Sequence, residues 1–378
     1  MISEYKKIPV FDFVVGEKEK EFINDCLNKS MIGQGFYVKE FEKKFSQFVD
    51  CEYGITTTSG TTALHLMCKC IDLKDNDQVL VSSSTNMASA FAIDYCGAIP
   101  IPIDIEKDTW QMDVKKIEEN INKNTKAIMV VHLFGQPVDM DPVIQIAKKY
   151  NLKIIEDCAE AHGVEYKNKK IGTLGDMAAF SFFANKTITC GEGGMVVTNN
   201  KMLAEKAQSL KNLSYGKINK FIHEDIGFNY RLPNISAAMG LAQLLDIKKI
   251  FSSKNRIYER YKKNLNNIKG VNIPLIRDWV TNYVMWVFNI YLDENFPISR
   301  DELVLKLKQK NIETRDAFVP INKQPVLVKK YKLFNENSCP NANYIMNNGL
   351  YLPSGNNILD SEIDFICDEI IKISNNIS

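Results

Sequence analysis

Lys186 has the sequence surroundings of a nucleophile. It follows the apolar run Phe180–Phe183 across a short polar turn, and the glycine-rich stretch Gly191–Gly194 comes soon after it. An amine beside such a run can have its pKa lowered by loss of solvation, which lets it attack a carbonyl carbon and form a Schiff base. The first chemistry that the sequence indicates is therefore covalent catalysis by this lysine.

Asp157 is the second candidate. It ends the apolar run Leu152–Asp157, twenty-nine residues before Lys186. A carboxylate at such a place is costly to bury unless a cation pairs with it, and a protonated pyridine nitrogen would be such a cation. Taken alone, a helix N-cap or a structural salt bridge is an equally good interpretation of Asp157.

Two hydroxyl-bearing segments indicate phosphate binding. Ser59–Thr62 joins a predicted strand to a predicted helix, where N–H groups and the helix dipole favour an anion, although simple helix capping would explain the same residues. Ser181 lies five residues before Lys186 and could give a second hydroxyl to a phosphate. Asn229 lies in a polar loop before an alanine-rich segment, which on its own could mark only a helix start. Together with a Schiff-base lysine and a partner for a pyridine nitrogen, these features predict pyridoxal 5′-phosphate as the cofactor.

The candidates lie at the ends of apolar runs that alternate with helical patterns such as Thr62–Leu73 and Asp141–Tyr150. This alternation predicts an α/β fold with a mostly parallel sheet covered by helices, in which ligands bind at the carboxyl ends of the strands. The predicted strands are Tyr53–Ser59, Gln78–Ser84, Ile99–Ile105, Ala127–Phe134, Lys153–Asp157, Met177–Phe183 and Gly194–Asn199.

The pattern changes between residues 245 and 255. A long charged helix, Lys249–Asn267, is followed by the strand-like segment Trp286–Leu292 and by amphipathic helices at Arg300–Lys310 and Ser361–Ile373. We predict a large cofactor-binding domain over residues 1–250 and a smaller α/β domain over residues 251–378. The N-terminal segment belongs to the large domain by its position in the sequence, but it can pack with the smaller domain.

The composition argues against several classes of protein. The 378 residues carry a net charge of +1, which gives no basic surface for nucleic acid or for an anionic membrane. The chain has no apolar run of about 18 residues, and its charged N-terminus lacks the core of a signal peptide, so we expect a cytoplasmic protein. The nine cysteines include no Cys-x-x-Cys pair and the four histidines are scattered, so we expect neither disulfides nor a metal site.

Nine short segments follow one another in an order and spacing typical of one family. They are Gly33–Gly35, Val38–Glu42, Ser59–Thr61, His132–Pro137, Glu156–Gly163, Phe180–Gly194, Asn229–Arg231, Glu313–Arg315 and Leu352–Ser354. With them the chain resembles the sugar aminotransferases of the DegT/DnrJ/EryC1/StrS family. The resemblance implies an aspartate aminotransferase-like fold (pyridoxal phosphate fold type I), with a mixed, mostly parallel seven-stranded sheet. It also implies a homodimer with shared active sites.

The resemblance implies roles for individual residues. Lys186 corresponds to the Schiff-base lysine, and Asp157 to the partner of the pyridine nitrogen. Glu160 falls near the ring hydroxyl, and Asn229 would reach the phosphate of the cofactor in the neighbouring subunit. The residues that correspond to phosphate ligands are Gly60, Thr61 and Ser181.

The chain departs from the family after Thr85, where an aromatic residue usually stacks on the cofactor ring. Asn86 stands there instead, so we expect a weaker contact with the outer face of the ring. The candidates for substrate contact are Gly35, Arg231 and Arg315. Guanidinium groups match the oxygens of a diphosphate, although a structural ion pair is an equally good interpretation of either arginine.

The residue at position 186 separates two reactions. A dehydratase branch of the family carries histidine there, and an imidazole cannot form the Schiff base, so Lys186 favours amino transfer. The stretch Thr187–Gly194 resembles members that act at C4, such as perosamine and viosamine synthases. We expect transfer of an amino group, with glutamate as donor, to C4 of a nucleotide-linked 4-keto-6-deoxyhexose; UDP, dTDP and GDP, and gluco and manno sugars, all stay open.

Two other functions are alternatives. A non-catalytic sensor could keep the fold and bind a cofactor or sugar nucleotide, but the intact set of Asp157, Ser181 and Lys186 argues against it. A cysteine desulfurase would need a nucleophilic cysteine. Cys158 and Cys190 lie near the site in sequence, yet nothing around them predicts an activated thiolate.

Overall fold

The computed structural model describes residues 7–375 apart from positions 14, 217, 224, 333 and 336, so the charged N-terminal residues 1–6 lie outside the description. The described helices are α1 (Glu17–Asn28), α2 (Phe36–Phe48), α3 (Gly60–Cys70), α4 (Met87–Asp94), α5 (Met140–Tyr150), α6 (Lys201–Leu210), α7 (Asn234–Leu245), α8 (Ile247–Leu265), α9 (Arg300–Gln309), α10 (Pro325–Lys330), α11 (Pro340–Asn348) and α12 (Asp360–Ser374). The described strands are β1 (Tyr53–Thr57), β2 (Gln78–Ser82), β3 (Ile99–Ile103), β4 (Thr125–Val131), β5 (Lys153–Asp157), β6 (Glu165–Tyr166), β7 (Lys169–Lys170), β8 (Met177–Ser181), β9 (Gly194–Thr198), β10 (Val271–Asn272), β11 (Val280–Asn282), β12 (Phe288–Leu292), β13 (Arg315–Asp316) and β14 (Gly349–Leu352).

The large sheet has seven strands in the order β1-β9-β8-β5-β4-β2-β3. Neighbouring strands from β8 to β3 run parallel, whereas β9 is antiparallel to both of its neighbours. Each of the seven predicted strands overlaps one strand of this sheet. The mixed, mostly parallel α/β sheet expected from the sequence is therefore confirmed.

Both faces of this sheet are covered by apolar residues. Successive residues along a strand point to opposite sides, so neighbours in one strand belong to different cores. In β4, Ala127 and Met129 join one apolar cluster, and Ile128 and Val130 join another. A continuous apolar run is thus what a strand between two helical layers requires.

The parallel arrangement brings the ends of three strands to one edge. Strands β1 and β8 are both antiparallel to β9 and hence parallel to each other, and β5 is parallel to β8. The carboxyl ends of β1, β5 and β8 consequently meet, and there they present Ser59, Asp157 and Ser181. This edge is where an open α/β sheet binds its ligands.

A second sheet, with the order β10-β12-β14-β13, is antiparallel and shares an apolar core with α8, α9 and α12. Ile8 belongs to the same core and pairs with Ile312, so the N-terminal segment packs here. Other residues of the C-terminal third, among them Ala317 and Ile345, join the core of the large sheet instead. The division of the chain near residue 250 stays a prediction.

A third, three-stranded sheet has the order β11-β6-β7. None of the described helices is both long enough and apolar enough to cross a lipid bilayer.

Candidate active site

A pocket of about 340 Å³ opens at the carboxyl edge of the large sheet. The predicted residues that line it are Gly60, Thr61, Asn86, Asp157, Glu160, Ser181 and Lys186. The fold therefore brings together in one cavity residues that lie up to 126 positions apart in the chain.

One end of the pocket is the N-terminus of α3. Ser59 caps this helix, because its Oγ accepts a hydrogen bond from the N–H of Thr62 at 3.2 Å. Gly60 follows directly and lies against the end of β8, where a Cβ on Gly60 would come within 2.8 Å of Ser181 Cβ. Glycine thus lets the first N–H groups of the helix, which lack intrahelical partners, approach the Ser181 hydroxyl. This end can hold an anion.

Asp157 ends β5 and is 4% exposed. Its Oδ2 accepts a hydrogen bond from the Ser89 hydroxyl at 2.7 Å, and its Oδ1 accepts one from the N–H of Ala159 at 3.1 Å. Burial raises the pKa of this carboxyl, and the two hydrogen bonds and the charge of Lys186 oppose that shift. A buried carboxyl of this kind becomes a stable anion when a cationic N–H pairs with it.

The amine of Lys186 contacts Glu160 and Trp286. Its Nζ lies 3.2 Å from Glu160 Oε1 and 3.9 Å from the centroid of the Trp286 ring. Burial raises the pKa of the Glu160 carboxyl, and the Lys186 charge opposes the shift. The second oxygen of Glu160 accepts a hydrogen bond from the N–H of Phe134 at 3.2 Å. An amine and a carboxyl at this separation can share a proton.

Aromatic rings form one wall of the pocket. Trp286 stacks on Phe11 and Phe134, with ring centroids 5.7 and 5.8 Å apart, and Phe134 stacks in turn on Phe318. Trp286, Phe318 and Tyr351 line the pocket directly. From the sequence, Trp286 could stack on the base or sugar of a substrate, but aromatic residues at such spacings are more often core residues.

Ser89 is a site residue that its position in the sequence does not reveal. Its hydroxyl lies 2.9 Å from that of Thr85, which stands four residues earlier and just before α4, and both residues are buried. Two hydroxyl residues four positions apart, at the start of a mostly apolar helix, were the available signal in the sequence. Asn86 caps the same helix, α4, by accepting a hydrogen bond from the N–H of Ala88 at 3.0 Å.

Gly35, Asn229 and Arg231 lie outside the described residues that line the pocket of this chain. Asn229 Oδ1 accepts a hydrogen bond from Arg231 Nε at 2.9 Å, and Arg231 Nη1 donates to Asn212 Oδ1 at 3.2 Å. Gly35 precedes α2, where a Cβ would come within 3.0 Å of the Asn234 side chain. The roles of these residues in binding stay predictions.

Arg315 is likewise separate from this pocket. Its Nη1 lies 2.7 Å from Glu313 Oε1, and it borders a different surface cavity together with Lys7 and Lys308. The ion pair was one of the two interpretations of Arg315 from the sequence, and contact with a diphosphate stays a prediction.

His132, Glu156 and Cys158 are the one group of described residues whose ligand atoms lie close enough for a metal ion, within 4.8 Å of one another. Glu156 already accepts hydrogen bonds from the N–H groups of Gly172 and Gly175, among others. His132 Nε2 lies 3.1 Å from Glu156 Oε2. We interpret this group as a structural hydrogen-bond network.

The family model of the DegT/DnrJ/EryC1/StrS aminotransferase family matches residues 14–371. The chain belongs to this family. It is 41% identical over 366 residues to the GDP-perosamine synthase of Escherichia coli O157:H7, covering 97% of this chain and 98% of the relative. It is 35% identical over 363 residues to the GDP-perosamine synthase of Vibrio cholerae, covering 96% and 97%.

Solved structures share the fold. The crystal structure of S. venezuelae DesV in complex with a ketimine intermediate matches with a TM-score of 0.88 and 29% identity, covering 94% of each chain. The family, the aspartate aminotransferase-like fold class and the enzyme class expected from the sequence, an aminotransferase, are thereby confirmed.

The pocket residues fit pyridoxal 5′-phosphate. The approach of Gly60 to Ser181, which a Cβ would block, shapes an anion site suited to a phosphate. Asp157 is a buried carboxyl whose described donors are two neutral groups, so it can also accept from a pyridinium N–H. Lys186, which would carry the covalent link, lines the same cavity.

Proposed function

We propose that this chain is a pyridoxal phosphate-dependent aminotransferase that transfers an amino group from glutamate to C4 of a nucleotide-linked 4-keto-6-deoxyhexose. The identity of 41% over 97% of the chain to a GDP-perosamine synthase carries the proposal. Two further relatives of that name, from Vibrio cholerae and Caulobacter vibrioides, are each 35% identical over 96% of the chain. The substrate proposed is therefore the GDP-linked manno sugar, and the product is GDP-perosamine.

Lys186 has the central role in this proposal. When bound, pyridoxal phosphate supplies an electron sink that stabilises negative charge on the carbon that loses a proton. Lys186 Nζ would accept that proton from Cα of the amino donor and return it at C4′ of the cofactor. Glu160, 3.2 Å away, supports the amine as a hydrogen-bond acceptor, and Trp286 covers it on another side.

Asp157 keeps a proton on the ring nitrogen. Its two hydrogen bonds from Ser89 and Ala159 hold the carboxylate in one orientation. The α3 N-terminus and the Ser181 hydroxyl would hold the phosphate, so the chain would fix the cofactor at two points.

Both cysteines of the desulfurase alternative are buried, and neither is among the described residues that line the pocket. Burial raises the pKa of the Cys158 and Cys190 thiols well above the ordinary value. A thiol held neutral in this way is a poor nucleophile. These two residues therefore favour amino transfer over sulfur chemistry.

We propose further that the active form is a homodimer in which Asn229, Arg231 and Gly35 serve the pocket of the neighbouring copy. The loop that precedes Asn229 exposes large apolar side chains, with Phe221 78% and Ile226 87% exposed. Apolar residues exposed to this degree are typical of an interaction surface. Mixing inactive Lys186→Ala and Asn229→Ala proteins under subunit exchange should restore part of the activity, whereas independent sites would restore none.

The substrate is tested by turnover with 4-keto-6-deoxy sugars linked to GDP, dTDP and UDP, with glutamate as donor and NMR of the product. We expect turnover of the GDP-linked sugar and an amino group at C4. Amination at C3 would overturn the C4 assignment. The dTDP-3-amino-3,6-dideoxy-alpha-D-galactopyranose transaminase of Aneurinibacillus thermoaerophilus, 33% identical over 96% of this chain, makes that outcome the second candidate. A colourless protein that takes up no pyridoxal phosphate would overturn the whole proposal in favour of a sensor.

A further inference from the structure

Lys254 is a buried lysine of α8, only 4% exposed, that the proposed reaction leaves without a role. Its Nζ donates hydrogen bonds to two backbone carbonyls, that of Trp286 at 2.9 Å and that of Ser354 at 2.7 Å. Trp286 lies just before β12, and Ser354 lies just after β14. One side chain thus joins a helix to the ends of two strands.

Trp286 connects this lysine to the pocket. Its indole Nε1 donates to the backbone carbonyl of Asn185 at 2.8 Å, and its ring lies 3.9 Å from Lys186 Nζ. The indole is therefore held from the pocket side by Asn185 and from the rear, through its own carbonyl, by Lys254. A shift of this carbonyl would move the ring against the Lys186 amine.

We propose that Lys254 is a positioning residue of the active site, which acts through the Trp286 carbonyl to hold the indole against Lys186. The inference rests on the proposed function, in which Lys186 carries the cofactor. Lys254 itself touches neither the pocket nor the reacting atoms.

The chemistry of the amine suits this role in either protonation state. Burial lowers the pKa of Lys254 to about 7, and the charge of Asp12 opposes the shift. A neutral amine still has two N–H donors, which is the number that the carbonyls of Trp286 and Ser354 require. The link to Trp286 therefore persists across neutral pH.

Lys254→Met removes the donors and keeps an unbranched, flexible side chain that is one atom shorter than lysine. Lys211→Met is the matched control, since Lys211 is also buried, at 2% side-chain exposure, but pairs with Glu42 at 2.7 Å outside the pocket. Lys254→Gln has a side chain as long as that of methionine but keeps N–H donors, and it serves as the second variant should Lys254→Met fold poorly.

The first measurement uses the apoprotein. The emission of Trp286 is obtained as the difference between each protein and its Trp286→Phe counterpart. We expect a red shift and increased acrylamide quenching in Lys254→Met, a smaller change in Lys254→Gln and none in Lys211→Met. Unchanged Trp286 emission in a folded Lys254→Met protein would overturn the proposal.

The second measurement uses the protein loaded with pyridoxal phosphate. Because the ring face of Trp286 stabilises a cation at Nζ, the pH midpoint of the cofactor's visible absorbance should fall by about half a unit to one unit in Lys254→Met. We expect kcat to fall about tenfold or more, with KM for the sugar nearly unchanged. Lys211→Met should leave the absorbance midpoint where it is.

A double-variant cycle separates positioning from general destabilisation. If Lys254 acts through the indole, Lys254→Met should shift the absorbance midpoint in the parent protein but add almost nothing in a Trp286→Leu background. Additive shifts would overturn the proposed route through Trp286. Failure of the parent protein to bind pyridoxal phosphate would instead overturn the proposed function, and the emission measurement on the apoprotein would still decide the role of Lys254.

Discussion

Two adjacent carboxylates at the end of β5 have opposite environments. Glu156 and Asp157 are both buried, but they point to opposite faces of the sheet. Glu156 accepts hydrogen bonds from the N–H groups of Gly172, Leu174 and Gly175, at 2.9, 2.9 and 2.6 Å, besides its contact with His132. Asp157 accepts one from a hydroxyl and one from a backbone N–H, and it lines the pocket.

The difference shows that burial alone does not identify a functional carboxylate. Glu156 has four partners among the described residues, which saturate the acceptor sites of its two oxygens and tie the turn after β7 to β5. Asp157 has two described partners and a raised pKa. The described residues therefore leave acceptor sites of this carboxyl open, and a cation that enters the pocket can pair with them. The number of donors distinguishes a structural carboxylate from one that is ready for a ligand.

The largest effect is expected on the pocket side, from Lys186→Ala. Loss of the amine should lower amino transfer at least about a thousandfold, because both the covalent attachment and the proton carrier disappear. Lys186→Arg keeps a cation near Glu160 but cannot attach the cofactor covalently, so it should be equally inactive. Turnover of either variant at the parental rate would remove Lys186 from the mechanism.

Asp157→Asn tests the open carboxylate directly. We expect kcat to fall about a hundredfold to ten-thousandfold, since an amide cannot hold a proton on the ring nitrogen. The free energy of unfolding of the apoprotein should stay within about 1 kcal/mol of the parent, because burial already disfavours the charge that the variant removes. Steady-state kinetics and urea unfolding measure the two quantities.

Glu156→Gln should show the reverse pattern. Glutamine replaces one of the two acceptor oxygens with an NH2 group. This donor faces backbone N–H groups that need an acceptor, which should lower the free energy of unfolding by about 3 kcal/mol. Activity per folded molecule should remain close to that of the parent. If Glu156→Gln lost activity while Asp157→Asn lost stability, the comparison between the two carboxylates would be wrong.

Gly60→Ala tests the phosphate end of the pocket. The added Cβ would meet Ser181 Cβ at 2.8 Å, so either the helix or the strand must move. We expect the affinity for pyridoxal phosphate to fall about tenfold or more, as measured by absorbance titration. Ser181→Ala removes one hydroxyl but keeps the close approach, and it should weaken binding less. The opposite order would show that the hydroxyl matters more than the backbone approach.

The smallest effect concerns His162, a buried ring beside Phe180 that has no role in the proposed reaction. Burial lowers its pKa from the ordinary 6.5 to about 3, and the charge of Lys186 adds to the shift. The unfolded chain therefore takes up a proton below pH 6.5 that the folded chain does not, so stability is complete above that pH and falls as the pH drops towards 3.

His162→Phe should remove this contribution. Urea unfolding at several pH values should then show a slope of stability against pH that is smaller by up to one proton between pH 6.5 and 3. An unchanged slope would mean that His162 ionises in the folded chain as it does in the unfolded one.

Much of the site could be predicted from the sequence because its signals are local. The apolar runs predicted all seven strands of the large sheet, and the turn residues beside them pointed to Gly60, Asp157, Ser181 and Lys186. The carboxyl ends of parallel strands meet at one edge of a sheet, so residues at those ends had to converge. Periodicity and turn chemistry act over a few residues, which is why a sequence displays them.

Other parts of the site depended on the tertiary structure, since they join elements that are distant in the chain. The hydrogen bond from Ser89 to Asp157, the ring of Trp286 beside Lys186 and the saturation of Glu156 by the turn after β7 leave no local pattern. The sequence determined which residue types stand at the ends of the strands. Only the packing of helices and loops against those ends decided which carboxylate is satisfied and which is open to a ligand, because that depends on donors supplied from elsewhere in the chain.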